Sequence, residues 1–271
     1  MSIFRRYGFR IVSVLALCGA WGVHAHDLFI MPDTFRPERG ARITIGFHVS
    51  DSFPDSEVGG RLERLRNPRL VWAGGGTDIV HLRTAGKRNV GDAVVRGSGH
   101  VIAVVSTTPT VIELEPGKFT EYLKHEGLTE TLQWRANHGE SGKPGRERYS
   151  KYAKALLVVG AGDGFARHAV GHIIEIIPEA DPYRLKPGDS LPIRVLFQGK
   201  PAEDLQVQTA WAAKGKSQMA IAGRTGKDGR LRVPLHAAGL WRIHTIKMQR
   251  CAEPATADWE SFWASLTLEL R

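Results

Sequence analysis

Between residues 41 and 116 apolar and polar positions alternate in short bursts. "ARITIGFHV" (41–49), "RLVWAG" (69–74), "TDIVHLRT" (77–84), "HVIAVVST" (100–107) and "TVIELEP" (110–116) carry the pattern, and Gly, Pro, Asn and Asp cluster between them. A period of two is that of a half-buried strand, and close spacing with turn residues between predicts a β-sandwich. The period then changes. In "GKFTEYLKHEGLTETLQWRA" (117–136), Phe119, Leu123, Leu128 and Leu132 recur at near-helical spacing and predict one or two short helices. "NHGESGKPGRERYSKYAKALLVVG" (137–160) follows as a polar, glycine-punctuated loop running into a strand, a length of loop that often carries function.

A second β region begins at "GHIIEIIPEADPYRLKPGDSLPIRVLFQGKP" (171–201), two strands around the turn at Lys186-Pro187-Gly188-Asp189. "LQVQTAWA", "SQMAIAGRTGKDGRLRVPL", "GLWRIHTIKM" and "FWASLTLEL" complete it as a smaller sandwich. The organisation expected is two domains, 26–165 with the helical and loop insert and 166–271, behind a segment of another kind. Residues 1–25 hold Arg5, Arg6 and Arg10, no acid, an apolar run from Ile11 to Ala20, and Val23-His24-Ala25. That is the layout of a bacterial export signal cut after Ala25, and the run is about half a membrane span. A twin-arginine signal fits less well because of Gly8, and a lipoprotein box at Cys18 because of Leu17. The expected compartment is the periplasm.

About 246 residues then remain, enough for two ordinary cores. Their single cysteine, Cys251, excludes an intramolecular disulfide and any site of paired thiolates. The formal charge of +9 falls to +6 without the three leader arginines, and the basic residues are spread among acids. This reads as solubility and a mild attraction to anionic surfaces, with no nucleic acid as partner.

No glycine-flanked serine elbow, HExxH, phosphate-binding loop or dinucleotide fingerprint occurs, and nothing argues for an enzyme. Histidine is the exception to this plainness. Cleavage after Ala25 makes His26 the first residue, so its α-amine and Nδ1 can close one chelate ring on a metal, and a second imidazole gives three nitrogens suited to Cu(II) or Ni(II). The partner expected is His244, which alternates in "GLWRIHTIKM" onto the face opposite Trp241 and Ile243. His168 and His172, His138 and His125 are weaker candidates, and His48, His81 and His100 read as structural strand histidines. In "DWESFWASLTLEL" (258–270) the tryptophans read as core, with Asp258 and Glu260 available to orient a ligand imidazole. Tyr149 and Tyr152 could do similar service from the 137–160 loop.

"AHDLFIMPDTFRPERG", "GESGKPGRERYSKYAKALL", "DPYRLKPGDSLPIRVLFQGKP", "TGKDGRLRVPLHAAGLWRIHTIKM" and "ADWESFWASLTLEL" together resemble a bacterial periplasmic domain-of-unknown-function family, named for nickel uptake or nickel/cobalt transport accessory roles. The resemblance covers nearly all of the chain after residue 25. It implies a mainly β fold of two β-sandwich domains, immunoglobulin-like and then transthyretin-like, with a short helical insert. It also implies a divalent transition metal ion (nickel or cobalt, with copper as a further option), held at His26 and His244 and passed to an inner-membrane metal transporter. Where related chains place a Met directly after the late histidine, Thr245 stands here and Met248 follows later. Two other classes stay open: a module binding carbohydrate, peptide or a membrane partner, and a copper enzyme of oxidative type.

Overall fold

The alternating bursts fold as strands in a computed structural model that describes residues 26–213 and 215–271; the expected leader, 1–25, lies outside the described residues. In chain order the strands are β1 (Leu28–Pro32), β2 (Arg42–Val49), β3 (Leu65–Trp72), β4 (Gly75–Asp78), β5 (Val80–Ala85), β6 (Arg88–Val94), β7 (Gly99–Thr107) and β8 (Thr110–Leu114). Helices α1 (Pro116–His125) and α2 (Thr129–Asn137) form the insert. Then come β9 (Gly145–Val159), β10 (Ile174–Pro178), β11 (Ser190–Phe197), β12 (Lys200–Pro201), β13 (Gln206–Ala213), β14 (Lys216–Arg224), β15 (Arg230–Pro234), β16 (Gly239–Arg250) and β17 (Trp259–Leu270). The fold is mainly β, in sandwich layers with a short helical insert.

Two expected elements differ. The alternation at 77–84 is two strands, because the chain changes sheets at buried Ile79: β4 pairs with β3, and β5 pairs with β6 across a bulge between Val80 and Arg83. The loop 137–160 is shorter than its polarity suggests. From Gly145 onward it is β9, whose charged residues find partners: Arg146 with Asp258, Glu147 with Tyr122 and Ser261, Lys154 with Glu175.

The widest sheet runs β14-β13-β16-β17-β9-β7-β3-β4, with β8 also on β9. Its centre is a parallel pair, β17 on β9, from Trp259↔Glu147 to Thr267↔Ala155. Strands from both sides of the expected boundary at 165 therefore share one hydrogen-bonded wall. Sheet β1-β2-β6-β5 covers one face, burying Ile43, Ile45 and Phe47 against Val101, Ala103, Ala153 and Leu157. The sheet of β10, β11, β12 and β15 covers the other, burying Ile176, Ile193 and Val233 against Ile102, Leu156, Ile243 and Leu266. Because successive strand residues point to opposite faces, β7 and the second half of β9 feed both cores, and β7 and the closing "ALLVV" of β9 read as continuous apolar runs. Each fully buried Val, Leu, Ile or Phe stabilises by roughly 1.5–3 kcal/mol. Packing on that scale holds the layers together with Cys251 a free, buried thiol.

The helices cover a third core on the face that also receives β1. Phe119 and Leu123 of α1 pack with Leu128, Ile246, Met248, Trp259 and Trp263. α1 ends in a Schellman turn: Leu128 N–H donates to the Leu123 carbonyl at 2.8 Å and Gly127 N–H to that of Lys124 at 3.1 Å. Gly127 has φ +65°, and a Cβ there would lie 2.4 Å from Gln206 Oε1, so glycine is required twice over. The turn seats the end of the helix against β13.

Candidate functional site

β1 is an edge strand, and edges leave unpaired backbone groups. It pairs only with β2, so the carbonyls of residues 26, 28 and 30 face away from that partner. Here all three are taken by side chains of the wide sheet: Lys151 Nζ donates to the His26 carbonyl, Ser265 Oγ to that of Leu28 at 2.6 Å, and Thr267 Oγ1 to that of Ile30 at 2.5 Å. Lys151, Ser265 and Thr267 are buried. On β16 the neighbouring positions of the same face are Arg242 and His244, also buried. A polar band thus runs across an otherwise apolar face, directly beneath the start of β1.

The side chain of Asp27 enters that band. Its Oδ2 lies 2.8 Å from Arg242 Nη1 and its Oδ1 3.3 Å from His244 Nδ1. The other nitrogen of His244, Nε2, lies 3.4 Å from Glu126 Oε2 at the end of α1, without hydrogen-bond geometry. Glu126 also accepts from His125 Nδ1 at 2.8 Å and from Gln208 Nε2 at 3.0 Å. Burial pushes the Glu126 carboxyl up, but the hydrogen bond from His125 and the close charges of His244 and His125 outweigh it and bring it down to about 2. Burial draws the Lys151 ammonium down to about 8 against the pull of Asp27. That ammonium lies 4.9 Å from the Trp263 ring centroid and 5.1 Å from that of Tyr149, so aromatic faces replace part of its lost water.

His26 itself faces the loop after β2. Its Nδ1 is 3.0 Å from Asp51 Oδ2 and 3.4 Å from Glu57 Oε2. The loop is folded for this: Phe53 is buried against Phe29 and Ala210, and Ser56 Oγ accepts from Val49 N–H and donates to the Lys87 carbonyl. Ser52 Oγ at 2.7 Å and the Asp51 N–H at 3.1 Å both donate to Glu57 and hold its carboxyl below the usual range. One ligand atom each from His26, Asp51 and Glu57 lie within 4.8 Å of one another, the one such group that could hold a metal ion among the described residues.

Of the two expected ligands, then, His26 stands in a donor cluster, while both nitrogens of His244 face carboxylates. His244 does lie on the face opposite Trp241 and Ile243. Asp258 and Glu260 do not orient an imidazole: they pair with Arg146 at 2.9 Å and Arg148 at 3.5 Å. Tyr149 accepts from Arg64, and Tyr152 packs on His172. The remaining histidines have local structural partners. His48 stacks on Phe29, His138 on Trp134 and His168 on Phe165, and His100 is enclosed between Asp163 and Asp181. Sequence reasoning missed Asp27, Asp51, Glu57, Glu126 and Lys151. The acid-rich, serine-rich "SDSFPDSE" (50–57) was the one local signal for part of that set.

A family model described as a domain of unknown function, DUF4198, matches residues 23–249. That description names no activity, and the expected tie to nickel or cobalt uptake finds no confirmation in it. No curated protein matches the chain. Among solved structures, the three N-terminal domains of the bacteriophage RB49 highly immunogenic outer capsid protein align with 89% of this chain at 10% identity and a TM-score of 0.18, a score too low to carry any argument. The chain spans 59% of that structure's length.

Proposed function

The chain belongs to the DUF4198 family, and because that family has no defined role we propose from the chain's own site that it binds a divalent transition metal at His26, Asp51 and Glu57. One observation carries this reading: an imidazole nitrogen and two carboxylate oxygens converge within 4.8 Å at the end of a strand whose carbonyls are individually anchored. Anchoring fixes the backbone that carries His26 before the ion arrives, which lowers the ordering cost of binding. The donor set fits a borderline first-row cation, since imidazole suits Zn, Cu, Fe and Ni and carboxylate suits harder ions. In a chain beginning at His26 the α-amine adds a second nitrogen, and the set becomes one suited to Cu(II) or Ni(II). His244 serves in this reading as an anchor, holding Asp27 and thereby the strand end. Export to the periplasm and delivery of the ion to an inner-membrane transporter are part of the same proposal, as is a chain cut after Ala25.

The test is intact mass of the protein recovered from the producing cell, followed by titration with Ni(II), Co(II), Cu(II) and Zn(II). One site filled at 100 times its dissociation constant stabilises by about 2.7 kcal/mol and raises the melting temperature accordingly. Adding a single residue before His26 is expected to weaken binding of copper or nickel by removing the amine from the chelate. Equal affinity in the extended protein removes the amine from the site, and no stabilisation by any of the four ions removes the metal.

A further inference from the structure

The turn that joins β1 to β2 lies at the end of that hairpin away from His26, since Leu28 pairs with Val49 and Pro32 with Ile45. Against it opens a cleft of about 480 Å³, lined by Arg36, Glu38, Arg39 and Ser98, with Pro37 and Val158 as apolar surface. Sites for small organic molecules fall in this range of size and combine apolar walls with a few placed polar groups. The turn is fixed from several sides. Gly40 N–H donates to the Val95 carbonyl at 2.6 Å, Val158 N–H to that of Phe35 at 3.0 Å, and Arg36 N–H to Thr34 Oγ1 at 3.2 Å. Phe35 and Pro37 are buried beneath it.

Both arginines reach the cleft with unused donors. The Arg36 guanidinium stacks over the Tyr183 ring at 4.7 Å, and Tyr183 is pinned in turn by the hydrogen bond its hydroxyl donates to the Leu156 carbonyl. Arg36 Nε is buried without an acceptor: Glu269 Oε2 stands 3.6 Å away and is shared with Arg271 Nε at 3.1 Å. Arg39 donates from Nε to the Arg96 carbonyl at 3.1 Å. Among the described residues no acceptor takes the Nη atoms of either arginine. A guanidinium steadied by a ring or a backbone carbonyl keeps its donor fork open, and that fork matches two oxygens of a carboxylate or phosphate. Glu38 is the one acid in the lining, so the cleft is net positive.

We propose that this cleft binds a small organic anion, whose carboxylate or phosphate group sits on Arg36 and Arg39 and whose carbon skeleton lies over Pro37 and Val158. Ser98 offers a hydroxyl at the rim. The cleft shares no residue with the group at His26, Asp51 and Glu57, so the two sites stand or fall separately.

The experiment is calorimetric titration of the metal-free full protein with succinate and with glycerol 3-phosphate, in about 0.15 M salt so that diffuse attraction is screened. Saturable one-to-one binding of at least one probe is expected, and the probe that binds tells carboxylate from phosphate. Arg36→Gln and Arg39→Gln are each expected to weaken that binding about tenfold or more, the scale of a lost hydrogen bond between charged groups. Because Arg39 is exposed, Arg39→Gln should melt close to the unmodified protein, which separates loss of binding from loss of fold. Lys227→Gln removes the same charge at an exposed position outside the lining and is expected to leave binding unchanged. Equal affinity in both arginine variants overturns the proposal. An equal loss in Lys227→Gln also overturns it, by reducing the effect to net charge, and so does the absence of saturable binding by either probe.

Discussion

Burial holds the His48 and His172 imidazoles down at about 4, aided by the charges of Arg88 and Lys154 respectively. In the unfolded chain each titrates near 6.5, so between pH 6.5 and 4 the unfolded state binds more protons and stability falls as pH falls. By pH 4 the two together withdraw several kcal/mol, on the order of 2 to 3 kcal/mol each. Urea midpoints measured from pH 7 to 4 should show this decline, and His48→Phe should flatten part of it. An equal decline in that variant would assign the acid sensitivity elsewhere. Glu126 contributes in a lower window: its stabilisation is present above about 4.5 and is lost as pH falls toward 2. The same residues show what was legible in the chain. His26 stood out by its place after a cleavage pattern and His244 by its alternation. Asp51 and Glu57 lie in a loop without a period, and only three-dimensional closure of that loop on Phe53 brings them to His26.

At the level of elements, β1 depends on side-chain donors where most edge strands depend on solvent or a neighbour. Ser265→Ala would leave the buried Leu28 carbonyl without a partner, at about 1–3 kcal/mol of stability. Denaturant unfolding should report that loss, and a change within a few tenths of a kcal/mol would mean that water takes the place of the hydroxyl. Most strands and both helices were readable from periodicity, since one buried face with one polar face leaves a plain pattern. β9 was the hardest, because Glu147, Lys151 and Lys154 are buried polar residues whose partners lie on α1, β10 and β17 and at His26, just before β1. A long-range partner leaves no mark on local hydropathy. The sheet change at Ile79 did leave a mark, since the apolar phase moves there from Ile79 to Val80 and Leu82, but over so few residues it reads as one alternating run.

For the whole molecule the shared wall governs cooperativity. Ile102, Val104 and Leu156, all before residue 165, are part of the core that the later strands build. The buried pair Lys154 and Glu175, at 2.8 Å, ties the same two stretches together. Calorimetry of the intact chain should therefore show one transition, with van't Hoff and calorimetric enthalpies equal. Two resolved transitions would mean that the layers separate before they melt.

The parallel pair at the centre of that wall also sets a sequence of events in time. Asp258 docks on Arg146 from 112 residues downstream, and β17 then fills the gap between two half-sheets. A nascent chain that has delivered β9 has no neighbour for that strand's second edge until β17 arrives. Such distant pairing makes for slow folding, and the waiting edge is the part most in need of a chaperone. Loss of β17 would leave two open sheets and, with them, a His26 whose strand had lost the hydroxyls that hold it.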